Sequence, residues 1–407
     1  MSADERRRSL MEQALPAEAE LELEEDEEDS DEDELQAGRV QAFVQDRRKL
    51  ATTVVLFVLL LVAIYVLLPK ITDAGDTIDR VGSATWYWVV AAVAFNVASF
   101  GAYTLLFRAI LAGGRIEDDV RNRLDMRASY QITMAAFAAT LLFSAAGAGG
   151  LALTYWALRK AGMPRRRSAC RMVAFLTLQY GVYLLALIVF GVLLRTGVLH
   201  GDAPLAGTVI PAGLAAVGIS FFLLMSLLPQ DVERRVAGVT SGYRRVKWAR
   251  RLASFPATVA TGVRTALDHL RSPRSAAMAL GGSVGYWAAN IGVLWASFKA
   301  FGVEVPFGVV VQAFFVGMVA NLFPSAAGGV GSIDAGMIGA FVLFGVDAKV
   351  VFPAILTFRA IFFWLPIAPG VFAYFQLRRT VAGWETERRA KSDGYTSKSK
   401  VKAAEAS

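Results

Sequence analysis

The sequence predicts an all-α polytopic membrane protein, with about six full spans and two broken helical hairpins arranged as an inverted-topology repeat. Three observations carry that prediction. The chain is 55% hydrophobic with a mean hydropathy of +0.45, and only 19% of its 407 residues are charged. Such a balance is too apolar for a soluble domain of this length. Apolar stretches of about 20 residues recur, the length a bilayer-spanning helix needs. Two of the apolar segments are broken by glycines, and both contain Ser-Ala-Ala-Gly, at 144–147 and 325–328.

The elements follow in chain order. Residues 1–38 carry 16 acidic and 3 basic residues, so the rest must be strongly basic for the net charge to reach +7. Residues 1–45 cannot bury enough apolar surface to fold and read as an acidic disordered cytoplasmic tail, either simply solvated or a partner-binding arm. No secretory signal is expected, because the first apolar stretch begins at Ala51 and is long enough to span. That stretch, 51–68, follows basic "DRRK", which sets the N-terminus on the cytoplasmic side. Residues 85–112 return, entering through an aromatic belt of Trp86, Tyr87 and Trp88. Residues 128–162 are apolar but interrupted by Gly147, Gly149 and Gly150, and both flanks carry basic residues. This segment is expected to enter and leave by the cytoplasmic side as a re-entrant hairpin. Residues 172–194 then span outward and 205–228 return. The basic stretch 229–275 reads as a cytoplasmic loop whose 241–255 segment suits an amphipathic helix on anionic headgroups. Residues 275–302 span outward, 305–346 form the second broken hairpin, opening outward, and 350–377 return. Residues 378–407 form a basic cytoplasmic tail. The membrane domain is thus 46–377, with repeat units at about 85–194 and 275–377, in a cell-membrane protein whose two termini are both expected to be cytoplasmic.

Composition also excludes chemistry. With Cys170 the one cysteine and His200 and His269 the only histidines, neither an internal disulfide, a histidine-rich metal site nor a Ser-His-Asp constellation is expected. The glycine-rich stretches lack the Lys-Ser/Thr ending of a phosphate-binding loop. No cofactor and no nucleic-acid partner are expected.

The informative residues are those unwelcome in lipid. Arg359 lies about ten residues, roughly 15 Å, into a span. An arginine at that depth costs roughly 2.5–3.5 kcal/mol on insertion scales, so a paired or phosphate-facing role is expected. Asp334 opens the second arm of the second hairpin; helix cap, partner of Arg359 and coupling-ion ligand all fit it. Gln179 holds in the first unit the position that Arg359 holds in the second. Asn96, Asn290 and Asn321 are intramembrane amides suited to bonds between helices, and Arg108 is near enough to a helix end to snorkel. Inverted repeats place a substrate site near the midplane, where broken helices meet. Broken backbone there must line a cavity or be buried in protein, and helix N-termini at the break suit an anionic group. The candidate substrate-binding set is therefore Ser144, Gly147, Gly149, Gly150 and Gln179 from the first unit. The second unit adds Asn321, Pro324, Ser325, Gly328, Gly329, Gly331, Asp334 and Arg359.

"NLFPSAAGGVGSIDAG" (321–336) followed by "ILTFRAIFFWLPIAPG" (355–370) resembles the lysylphosphatidylglycerol synthetase transmembrane region family, also called flippase-like membrane proteins. Pro324, Gly328, Gly329, Gly331, Asp334 and Arg359 match the family pattern, with Asp334 where glutamate is more usual. In the first unit, "SAAGAGGLALTYW" lacks the proline and the acidic residue, and "LTLQYGVY" lacks the Arg-hydrophobic-hydrophobic-Asp element. The resemblance implies movement of a lipid between leaflets, or support of a separate lipid-modifying or glycosyl-transferring enzyme. It does not imply the synthetase itself, since the 30 residues after the last span leave no room for an aminoacyl-transfer domain. The expected partners are membrane lipids of anionic or polyprenyl-phosphate type, with a lipid-modifying enzyme as a second candidate. A secondary transporter for a small anion is the remaining alternative.

Overall fold

A computed structural model describes residues 84–113, 118–142, 148–226, 247–322 and 331–405. These belong to one compact unit, Val66–Ser407; a second unit, Met1–Tyr65, lies outside them. The acidic tail, the first expected span at 51–68, and the tip residues Ser144, Gly147, Pro324, Ser325, Gly328 and Gly329 also lie outside the described residues.

Every regular element among the described residues is helical. In order they are α1 (Trp86–Leu111), α2 (Asp118–Arg123), α3 (Met126–Leu142), α4 (Ala148–Lys160), α5 (Arg165–Arg195) and α6 (Val209–Ser226). There follow α7 (Lys247–Arg271), α8 (Pro273–Ala300), α9 (Phe307–Met318), α10 (Ser332–Leu343), α11 (Ala348–Arg359) and α12 (Ile367–Glu405). A 3₁₀ turn, Val319–Leu322, extends α9, and a π turn, Ala360–Trp364, joins α11 to α12. Helix starts carry ordinary signals. Pro273 occupies the first turn of α8, where its missing N–H is no loss. Asp347 caps α11, its Oδ1 accepting from the Lys349 N–H at 2.8 Å.

The protein is embedded in a membrane. α1, α5 and the run Ala348–Arg388 are long and apolar enough to cross one. α6 presents Leu214, Val217 and Leu224 outward, each more than 60% exposed, a face that only lipid or another apolar surface would cover. Large side chains pack inside where α1, α3, α4 and α5 meet, among them Leu106, Ile110, Ile132, Leu158 and Phe175.

Helix directions follow from contacts along their lengths. α1 and α8 run antiparallel. The Thr85 N–H donates to the Ala300 carbonyl at one end (2.8 Å), Trp88 meets Trp295 edge to face, and Gly282 lies against Leu106 at the other end. A Cβ at Gly282 would fall 2.6 Å from the Leu106 backbone N and 2.9 Å from the Ala102 carbonyl oxygen, so the small residue sets the approach. α3 runs antiparallel to α12, with Gln131 on Gln376 and Met134 on Gly370. α9 runs antiparallel to α5, with the Tyr183 hydroxyl donating to the Phe315 carbonyl and Gln312 beside Gly191.

The 241–255 segment expected on headgroups begins outside the described residues; α7, a 25-residue helix, packs its later half on protein. Ala260, Val263 and Ala266 are buried there, and Gly262 is seated against Val173 and the Cys170 carbonyl of α5. The helix that carries the end of the last expected span continues past residue 377, α12 running unbroken to Glu405.

Candidate functional site

The site begins with a backbone irregularity. Pro366 has no N–H to continue the α-helical ladder, and the turn before it widens, so that the Leu365 N–H bonds the Ala360 carbonyl five residues back at 3.0 Å. Asn96 reaches across from α1, and its Nδ2 donates to the Ile361 carbonyl at 2.8 Å. That bond is the helix-to-helix role expected of an intramembrane amide.

Arg359 sits on the last residue of α11, immediately before this turn, and only 1% of its side chain is exposed. Its Nε lies 2.8 Å from Asp334 Oδ1. The contact has ion-pair distance without hydrogen-bond alignment, so both atoms, and Arg359 Nη2, are left without a hydrogen bond among the described residues. The guanidinium carbon stands 4.3 Å over the Phe363 ring, a cation–π contact supplied by the π turn. The carboxylate of Asp334 has two tasks. Its Oδ2 accepts from the Gly331 N–H at 3.0 Å, satisfying an orphan donor at the start of α10, while Oδ1 faces the arginine. Gly331 has φ 85°, a left-handed conformation that a side chain would strain. Cap and ion pair are thus one arrangement, which brings Gly331, Asp334 and Arg359 together.

The hairpin glycines have a packing function. In the first hairpin a Cβ at Gly150 would fall 2.1 Å from Thr140 Oγ1 and 2.6 Å from the Ala136 carbonyl oxygen, where α4 crosses α3. In the second, Gly336 of α10 stands in the same relation to Gly317 of α9. Gly149 is half-buried beside Gly150 at the start of α4. Asn321 belongs to the 3₁₀ turn that ends the first arm. α4 has 13 residues and α10 has 12, so at 1.5 Å per residue each is roughly 20 Å long, short of a roughly 30 Å hydrocarbon core.

Gln179 is placed elsewhere. It is buried on α5, its Oε1 lies 3.4 Å from Ser283 Oγ, and its carbonyl accepts from Trp287 Nε1 at 2.9 Å, both partners on α8. No described bond joins it to Arg359 or Asp334. Sequence reasoning missed two other glutamines. Gln131 and Gln312 each precede the serine of Ser-Ala-Ala-Gly by 13 residues, and each is buried on the first arm of its hairpin. Gln131 Oε1 accepts from Thr380 Oγ1 at 2.9 Å, and Gln312 Nε2 donates to the Gly207 carbonyl at 2.9 Å. The equal spacing was the available signal.

Both hairpins, the π turn and Arg359 fall inside residues 51–370, which match the family model described as the lysylphosphatidylglycerol synthase TM region. The chain belongs to this family. A UPF0104 membrane protein of Methanothermobacter thermautotrophicus (strain ATCC 29096 / DSM 1053 / JCM 10044 / NBRC 100330 / Delta H) is 34% identical over 84 residues. That similarity spans 21% of this chain and 25% of the archaeal protein. Within the lysylphosphatidylglycerol synthase TM family domain, then, the buried Arg359–Asp334 pair is the cluster that most demands an explanation, since ionised groups are costly in lipid unless used or paired.

Proposed function

We propose that this membrane domain moves an anionic or glycosylated lipid headgroup between leaflets, through the space between its two hairpins, with Arg359 as the partner of the phosphate. The observation that carries the reading is the buried guanidinium with an idle Nη2, held by one carboxylate that also caps the hairpin arm. A phosphate is chemically suited to take over from Asp334, because charge-assisted bonds to a guanidinium are stronger than neutral ones. Movement of α10 away from α11 would release the pair while the cap, local to the start of α10, travels with it. The inverted repeat is supported by the helix directions. α1 opposes α8, and the first arm of each hairpin packs on the return helix of the other unit, α3 on α12 and α9 on α5. The basic 159–171 stretch, at the junction of α4 and α5, supports a cytoplasmic face for the first hairpin and for both termini of a cell-membrane protein.

Reconstitution tests this. Vesicles carrying the protein and a tail-labelled phosphatidylglycerol, phosphatidylcholine or polyprenyl-phosphate lipid are assayed for label reaching the inner leaflet. Arg359→Ala and Asp334→Asn should slow an anionic lipid at least tenfold more than a zwitterionic one. Absence of movement of every lipid under any gradient sinks the transport reading. If Arg359→Ala is silent in cells while deletion of 229–275 or of the acidic tail abolishes function, the domain is instead the partner of a lipid-modifying enzyme.

A further inference from the structure

Between the start of α3 and the middle of α12 lies a crevice of about 530 Å³. No residue of α10 or α11 lines it, so it is separate from the Arg359 pair. Arg123, Arg127 and Arg379 line it against a single carboxylate, Asp125. That carboxylate is already engaged, its Oδ1 accepting from the Ala128 N–H at 2.7 Å at the start of α3.

Arg123 forms part of the crevice wall. Its side chain is only 8% exposed, and its Nη1 donates to the Ala161 carbonyl at 3.2 Å. Its Nε has no hydrogen bond, and Glu387 Oε2 stands 3.8 Å away. Arg123 is thus already partnered by Glu387 and the Ala161 carbonyl, and the unpaired positive charge of the crevice comes from the two other arginines. Arg127 and Arg379 are exposed, and neither forms a hydrogen bond or ion pair among the described residues. The crevice also has a rigid element, since Gln131 is buried and held by Thr380 and Gln376 of α12. One helical turn toward the apolar stretch, the lining changes character. Phe372 and Phe375 are 64% and 45% exposed.

We propose that this crevice binds the phosphate of an anionic phospholipid at the cytoplasmic leaflet, Arg127 and Arg379 taking the phosphodiester while Phe372 and Phe375 meet its acyl chains. Inorganic phosphate shares the charge chemistry, but only a lipid uses the aromatic lip. Basic residues at a membrane edge favour anionic headgroups by about 1 kcal/mol each. The proposal does not depend on lipid movement at Arg359.

The test measures binding of phosphatidylglycerol and phosphatidylcholine to the full chain in nanodiscs, by native mass spectrometry, with inorganic phosphate as a separate arm. Arg127→Ala/Arg379→Ala should weaken phosphatidylglycerol binding roughly 10- to 30-fold and leave phosphatidylcholine unchanged. The control Arg167→Ala/Arg274→Ala removes two exposed arginines outside the crevice and should change neither. The proposal is overturned if both double variants lose phosphatidylglycerol equally, if the first loses none, or if inorganic phosphate alone occupies the site with the same arginine dependence.

Discussion

Arg359 and Asp334 are a buried pair, and a buried pair costs most when only one partner is removed. Arg359→Ala leaves an uncompensated carboxylate in an apolar surrounding and should lower stability by about 3–5 kcal/mol. Asp334→Ala strands the guanidinium and also frees the Gly331 N–H. Because the two residues share one interaction, Arg359→Ala/Asp334→Ala should be clearly more stable than the sum of the single losses. Thermal unfolding in detergent measures all four proteins, and strictly additive losses would show that the 2.8 Å contact contributes nothing. The arginine was legible in the sequence because its depth in a span made it anomalous. Its partner was legible only as one of three options, since a residue's spacing along the chain does not say which way α10 turns toward α11.

Large apolar side chains fill the space between helices, but the closest helix crossings in this fold are set by small residues. The crossing of α1 and α8 is the clearest case. A side chain at Gly282 would strike the backbone of α1, which cannot rotate away, whereas a Cβ at Gly281 meets nothing within 4 Å. Gly282→Leu should therefore abolish recovery of monodisperse protein on size-exclusion chromatography, while Gly281→Leu behaves as wild type. Equal recovery of the two would remove this crossing from the fold. The same reasoning divides the hairpin glycines. Gly147, Gly149, Gly150, Gly328, Gly329 and Gly331 read from sequence as ligand-binding, while Gly150, like Gly336, also packs the two arms of its hairpin together. Glycine's two uses, unusual backbone and close packing, have the same sequence signature.

At the scale of the whole molecule the question is sidedness. The native thiol is a poor reporter, because Cys170 is buried where α7 seats its Gly262 on α5. Exposed positions serve better. In a Cys170→Ser background, Arg167→Cys should react with impermeant maleimide only from the cytoplasmic face, and Lys349→Cys only from the opposite face. Labelling of both from one face would end the inverted arrangement. The sequence by itself determined the helical membrane class, the apolar helices, the glycine runs between short ones and the anomalous arginine. Each of these is a one-dimensional property: hydropathy over about 20 residues, a glycine run, a charge where charge is expensive. Tertiary structure alone decided that Asp334 both caps α10 and faces Arg359, that a π turn carries Phe363 over the guanidinium, and that Gln179 bridges α5 to α8 instead of joining the pair. Those outcomes depend on which faces of distant helices meet, and small-residue packing in lipid sets that through shape, which a hydropathy pattern does not encode.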